Sequence, residues 1–225
     1  MTFTIDTIVV PQGAEYQAVC QGLKQAHSQD IKVVSIPIGT KDVLQTLINR
    51  SFEFISPQRV LIMGLCGSLN SNQTVGDRIL YRNCCNADND CLDLDQGLTK
   101  TIQQKLLLNL HTGLTSDRPI CQVEEKLKLG HEYSAEAIDM EGYGYVKELQ
   151  RQGMLIAMLR IVSDDARGDI PDLSLVIDNN GSLNSWEMAI LMVQNPWESI
   201  RLIKGSLTGL AQLRRVTKEL FTKGI

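Results

Sequence analysis

An α/β protein with helices packed on a central sheet is what this sequence predicts, on two observations. Short β-branched apolar runs alternate with longer segments of helical period. The 225 residues are 43% apolar and 21% charged, the balance of a globular chain rather than a disordered or low-complexity one. Neither an internal repeat nor a Pro/Ser/Gly linker divides the chain, so residues 1–225 read as a single domain with a sizeable core.

The elements follow in order. Thr7 to Val10 is a β-rich apolar run broken by Pro11-Gln12-Gly13, and Ala14 to His27 then repeats apolar residues at Val19, Leu23 and Ala26 with helical period. Ile31 to Ile38 is a second strand, and Gly39-Thr40 starts a helix whose stripe is Val43, Leu44, Leu47 and Ile48. Arg59 to Leu65 is a buried strand running into a glycine turn, Gly64 to Ser68, and Val75-Gly76-Asp77 opens a further strand through Tyr81. Helices are expected at Gly97–Leu110, Glu124–Leu129 and Gly142–Gln152, the last stopped by Gly153. Met154 to Val162 is a buried strand. Asn195-Pro196 caps a long final helix with its stripe at Trp197, Ile200, Ile203, Leu207, Leu210, Leu213, Val216 and Leu220.

Composition excludes several function classes. Lysine and arginine total 22 against 26 acidic residues, a net charge of -4, which leaves no basic excess for a phosphate backbone, so nucleic acid is not an expected partner. The wholly apolar runs, such as Met154 to Leu159, are far shorter than the roughly 20 residues that cross a bilayer. The first residues lack the charged and apolar regions of a signal peptide, so a cytoplasmic location is expected. Six cysteines without a Cys-x-x-Cys pair are expected to be reduced thiols. The three histidines lie far apart, and no metal site is expected. The acidic run Asp88 to Asp95 lacks the turn glycine of a calcium loop and reads as a solvated loop.

The chemistry concentrates in two segments. Ala137-Ile138-Asp139-Met140-Glu141-Gly142 and, after a helix, Arg160-Ile161-Val162-Ser163-Asp164-Asp165-Ala166 both set carboxylates at the edge of a secondary element. The second lies just past the carboxyl end of a buried strand, where open α/β sheets build their sites. Spacing alone balances this against Asp164 or Asp165 capping a turn and Asp139 and Glu141 being solvated.

Taken with Gly64-Leu65-Cys66-Gly67-Ser68-Leu69 and Val75-Gly76-Asp77, in the same order, these segments resemble the purine nucleoside phosphorylase and nucleosidase superfamily from Ile8 to about Ala166. Asp117-Arg118-Pro119-Ile120 with Glu124-Glu125-Lys126, and the Asn195-Pro196 tail, look most like its hopanoid-associated phosphorylase group. The resemblance implies a three-layer fold with a mixed central β-sheet flanked by helices, assembled as a homo-oligomer. It implies cleavage of the N-glycosidic bond of a purine nucleoside, including a 5′-modified adenosine, with no metal or organic cofactor and phosphate as a co-substrate if the reaction is phosphorolysis. Asp164 would serve the purine N7 as acid, which requires burial or a partner that holds a proton. Ser163 would orient it. Glu141 would accept the ribose hydroxyls, Met140 would line the sugar, and Ile120 would contact the base. Cys66 and Gly67 of the glycine segment would also bind substrate.

Two departures leave the acceptor open. The family's water-activating glutamate matches Glu15 only with a one-residue shift, a stricter register placing Ala14 there, and Glu15 can equally complement the helix dipole. Leu65 stands where the hydrolases are often polar. Phosphorolysis would need an anion cradle, for which Gly39-Thr40 and the Gly64–Ser68 turn offer N–H groups but no Walker sequence. A nucleoside-binding protein without turnover is the alternative from another class. Cys66 as a thiolate nucleophile has no histidine nearby in sequence to support it.

Overall fold

Continuous apolar runs become strands buried on both faces, and two such runs form the centre of the molecule. The computed structural model describes residues 5–28, 30–36, 58–173 and 185–222, with only the helical backbone for 185–189. The strands are β1 (Thr7–Pro11), β2 (Lys32–Ile36), β3 (Arg59–Ser68), β4 (Arg78–Cys85), β5 (Cys91–Asp93), β6 (Leu110–Thr115), β7 (Ala137–Asp139) and β8 (Leu155–Asp164). The helices are α1 (Ala14–Gln25), α2 (Gln96–Leu106), α3 (Val123–Glu132), α4 (Gly142–Arg151), α5 (Ser185–Gln194) and α6 (Pro196–Phe221). The helix expected after Thr40 lies outside the described residues.

The sheet is mixed. β2, β1, β3 and β8 run parallel, with β3 and β8 in register from Arg59↔Leu155 to Cys66↔Val162. β8 then pairs antiparallel with β4, β4 parallel with β6, and β6 parallel with β7. The last residues of β3 pair antiparallel with β7, Gly67 opposite Ile138, so β3, β8, β4, β6 and β7 close on one another. Side chains alternate across β3: Val60 and Ile62 join one core with Tyr145, Val146 and Leu149 of α4. Leu61 and Met63 join the opposite core with α1, α2 and the C-terminal half of α6. Helices therefore cover both faces, as expected.

Several local expectations are corrected. The segment 64–68 is no turn: it continues β3, with a register shift between Cys66 and Gly67. Its glycines serve close approach instead, since a Cβ at Gly64 would lie 2.2 Å from Arg160 Nη1 and 2.9 Å from Glu15 Oε1. The helix expected to reach Leu110 stops at Leu106, where Leu107 takes φ 53°. Leu110, the last residue of the expected helix, starts β6 instead. Asp95 caps α2 by accepting from the Leu98 N–H at 2.7 Å, which gives part of the acidic run a structural role. Gly153, at φ 78°, does end α4 as expected.

Asn195 does not cap α6 with its side chain, which donates to the Leu191 carbonyl instead. The α6 stripe is buried at Leu213, Val216 and Leu220, but Trp197, Ile200, Ile203 and Leu207 are exposed because the N-terminal half of the helix runs past the sheet-facing core. Cys85 and Cys91 are joined by a disulfide across the β4–β5 hairpin, against the expectation of reduced thiols. Their pairing follows from the hairpin register, which sets the two opposite each other.

Candidate active site

The strand ends and the turns that follow them enclose a cleft of about 220 Å³. β1 contributes Pro11, after which Gly13 at φ 90° turns the chain into α1 and places Glu15 in its first turn. Glu15 Oε1 accepts the Leu65 backbone N–H at 2.6 Å, so Leu65 contributes through its backbone whatever its side chain. Glu15 rather than Ala14 therefore reaches the cleft, and Ala14 is exposed. Burial pushes the Glu15 carboxyl above its ordinary range, against the Leu65 bond and the Arg160 charge.

β7 is three residues long, yet its last one organises the floor of the cleft. Asp139 Oδ1 accepts from Thr115 Oγ1 at 2.9 Å and from the Gly142 and Glu141 backbone N–H groups at 2.8 and 3.3 Å. Its Oδ2 accepts from Tyr81 at 3.4 Å and pairs with Arg160 at 3.2 Å. These bonds hold the start of α4, where a Cβ at Gly142 would lie 2.6 Å from Asp139. Glu141 is thereby presented to the cleft as a buried carboxylate. Asp139 is likewise buried, not solvated.

Arg160 lies fully buried in the middle of β8. Burial works against its charge, but Asp139, Tyr81, Glu141 and Glu15 around it prevail and hold it protonated. None of its guanidinium nitrogens makes a hydrogen bond of full geometry among the described residues, and the carboxyls whose charge it feels are Asp139, Glu141 and Glu15. The signal for this residue was visible: a charge inside an otherwise apolar strand.

At the end of β8, Asp164 sits opposite Gly67 of β3 and lines the cleft with Ser163. Lys126 of α3, completely buried, donates to Asp164 Oδ2 and to the Asp165 carbonyl at 3.3 Å. Arg201 of α6 pairs with Asp165. Burial raises the Asp164 pKa above its ordinary value, opposed first by Lys126 and then by Arg201. Ser163 does not orient Asp164, because its hydroxyl donates to the Cys66 carbonyl at 3.3 Å. Burial pushes the Cys66 thiol far up, which removes it as a thiolate nucleophile.

Ile120 follows Arg118 and Pro119 on one wall, and Ile170, Leu173 and Leu202 line the cleft as well. All eight residues expected at the site (Glu15, Cys66, Gly67, Ile120, Met140, Glu141, Ser163 and Asp164) meet in this one cleft. Sequence reasoning missed Arg160, the buried role of Asp139, Lys126 and Leu202. Lys126 stands among Glu124, Glu125 and Lys128, a charged stretch that reads as a solvated face.

The arrangement provides four carboxyls around one concave, largely apolar space: Asp139 in the floor, and Glu15, Glu141 and Asp164, of which Glu15 and Asp164 have raised proton affinity. It can hold hydroxyl groups, bind a flat apolar ring and move protons at two separate points.

A model of the phosphorylase superfamily matches residues 33–191. Among solved structures, the futalosine hydrolase of Helicobacter pylori strain 26695 superposes with a TM-score of 0.68 at 16% identity, covering 95% of each chain. The 5′-methylthioadenosine nucleosidase of Arabidopsis thaliana in its apo form gives 0.66 at 15% identity, over 100% of this chain and 98% of that one. A point mutant of the Helicobacter pylori nucleosidase with 5′-methylthioadenosine in its active site gives 0.64 at 18%, over 96% and 98%. None of the curated proteins matches.

Proposed function

The chain belongs to the phosphorylase superfamily, and from that membership we propose that it cleaves the N-glycosidic bond of a purine nucleoside, with water as the acceptor. The observation that carries this reading is the convergence of Glu15, Glu141 and Asp164 on one cleft. Breaking the bond leaves positive charge on the ribose and sends the bonding electrons into the purine, whose N7 gains basicity. Asp164 supplies N7 with a proton, and Glu141 accepts hydrogen bonds from the ribose hydroxyls, which strengthen as the sugar becomes cationic. Water attacks C1′ while Glu15 takes its proton, giving free base and free sugar. The raised proton affinity of Glu15 suits a base.

Water is favoured over phosphate by Glu15 itself and by the charge around it. The guanidinium beneath the cleft is bounded by Asp139, Glu141 and Glu15, a poor surrounding for an anion. Arg118 at the rim is paired with Glu125. The segment 64–68, being strand, offers no cradle, and Gly39-Thr40 lies outside the described residues. With Glu15 in the cleft and Leu65 acting through its N–H, the reading as a binding protein without turnover loses both of its supports.

The apolar group Ile170, Leu173 and Leu202, beyond Ile120, supports a 5′-modified adenosine as substrate, and a bulky apolar 5′ group as in the hopanoid-associated phosphorylases that the sequence resembles. Some neighbouring structures act on or hold a 5′-methylthio nucleoside. A homo-oligomer acting in the cytoplasm completes the reading; exposed Val193, Trp197 and Leu207 offer it an apolar contact face.

Free base release from adenosine, inosine, 5′-methylthioadenosine and an adenosine with a long apolar 5′ chain, each with and without phosphate, tests the proposal. Release at equal rates in both conditions is expected, fastest with an apolar 5′ group. Release that requires phosphate and yields a sugar 1-phosphate would overturn water as acceptor.

A further inference from the structure

Asp164 is the acid of the reaction proposed for this cleft, and the role assigned here to its neighbour Lys126 rests on that reading. A carboxylic acid has two oxygens, and only one of them can carry its proton toward a ligand. In this site the two are unlike. Oδ2 accepts from Lys126 Nζ, whereas Oδ1 is buried and has no hydrogen-bond partner among the described residues. An ammonium only donates, so the oxygen it touches is obliged to accept. A proton added to Asp164 is then favoured on Oδ1, the oxygen that no described residue occupies.

Lys126 is an expensive way to hold a loop. It is completely buried, and desolvating an ammonium costs several kcal/mol even when it is paired. Purely structural buried ion pairs can often be replaced by apolar side chains without loss of stability. Its partners are all at the catalytic edge: Asp164 Oδ2 and the Asp165 carbonyl, with Arg201 already holding the Asp165 carboxylate. Were anchoring the task, Arg201 and the β3–β8 ladder would already perform it.

We propose that Lys126 is the positioning residue of this site: by occupying Oδ2 of Asp164 with a group that can only donate, it confines the carboxyl proton to Oδ1 and so aims it at the bound base. Its charge has a second effect. The ionised form of Asp164 is favoured by Lys126 and Arg201 and disfavoured by burial and by Asp165, while the thiols Cys66 and Cys121 face it without charge. Lys126 thus makes Asp164 a stronger acid than its burial alone would allow, and a stronger acid is a better proton donor to N7. In the step itself, the proton leaves Oδ1 for N7 as the C1′–N9 pair moves into the purine. The carboxylate left behind is stabilised by the same ammonium.

The test uses the full chain and two readouts. The Asp164 carboxyl, labelled with ¹³C and assigned by its loss in Asp164→Asn, is titrated in the wild type, Lys126→Met and Lys126→Arg. The midpoint in Lys126→Met is expected to rise by about 1–3 pH units, the span by which a neighbouring cation shifts an aspartate. Lys126→Arg is expected to stay near the wild type. Turnover of Lys126→Met is expected to fall at least about tenfold in kcat with KM little changed, and the pH limb belonging to Asp164 to move with its midpoint.

An unmoved midpoint in Lys126→Met would overturn the proposal, as would equal kcat in Lys126→Met and the wild type while Asp164→Asn is inactive. Wild-type turnover by Asp164→Asn would instead remove the acid assignment on which the proposal rests. Should Lys126→Met not fold, Lys126→Arg against Lys126→Gln carries the same comparison, a charge kept against a charge lost.

Discussion

Two buried ion pairs flank the cleft, and they are built differently. On the floor, Asp139 meets Arg160 and has every acceptor position engaged, by Thr115, Tyr81 and the first N–H groups of α4. At the wall, Asp164 meets Lys126 and keeps one oxygen without a partner among the described residues. A carboxylate with its acceptor capacity filled is scaffold: it fixes where Glu141 stands. A carboxyl left half engaged in a dry place has a raised proton affinity and an oxygen that no described residue engages, which is what an acid needs. The same chemical pairing thus builds the frame on one side and, in the proposed reaction, holds the acid on the other.

The largest effect is expected on the floor. Arg160→Met leaves Asp139 buried without its cation, and a loss of about 3–5 kcal/mol in stability is expected, read by urea denaturation. Unchanged stability would show that the pair does not support the fold. On the wall the loss should fall on rate. Asp164→Asn should fold normally and lower kcat for base release by about 10²–10⁴, the usual contribution of a positioned acid, with a smaller change in KM. A large fall in stability with normal turnover per folded molecule would invert the two roles.

Glu15 sharpens the contrast with the smallest effect. Its carboxyl is raised by burial, so the folded state holds the proton more tightly than the unfolded chain does. The stability this brings is fully present at low pH and is lost as pH rises through the folded pKa. Glu15→Gln is therefore expected to be more stable than the wild type at pH 7 and to have lost the low-pH limb of the turnover profile along with most of its rate. A destabilised Glu15→Gln protein would mean that the Leu65 bond outweighs the burial of the charge.

How much of this was legible in the sequence depended on whether a residue's neighbours share its fate. β8 reads as a buried strand because Met154 to Val162 is apolar throughout except at Arg160, and its Ser163-Asp164 end falls where open sheets place ligands. The Gly142 start and Gly153 end of α4 are local signals and hold. β6 and β7 escape because they are short and are made by tertiary pairing, Gly113 beside Ala137 and Thr115 beside Asp139, not by their own pattern. Gly64 misleads for a related reason: its small size answers to Arg160, distant in sequence, and not to a turn. Lys126 looks solvated because Glu124, Glu125 and Lys128 around it are charged, although α3 turns that one position inward. The site residues on β8 and at the start of α4 were readable, whereas the pairs that set their protonation need the third dimension.

In the proposed reaction this cleft delivers water to a nucleoside whose base is protonated opposite it. The most direct measurement is turnover of 5′-methylthioadenosine, or of the best 5′-modified adenosine, in ¹⁸O-labelled water containing phosphate, with mass analysis of the sugar. Free sugar carrying one ¹⁸O at C1′ and an equal amount of free purine are expected. Unlabelled sugar 1-phosphate as the product would contradict it.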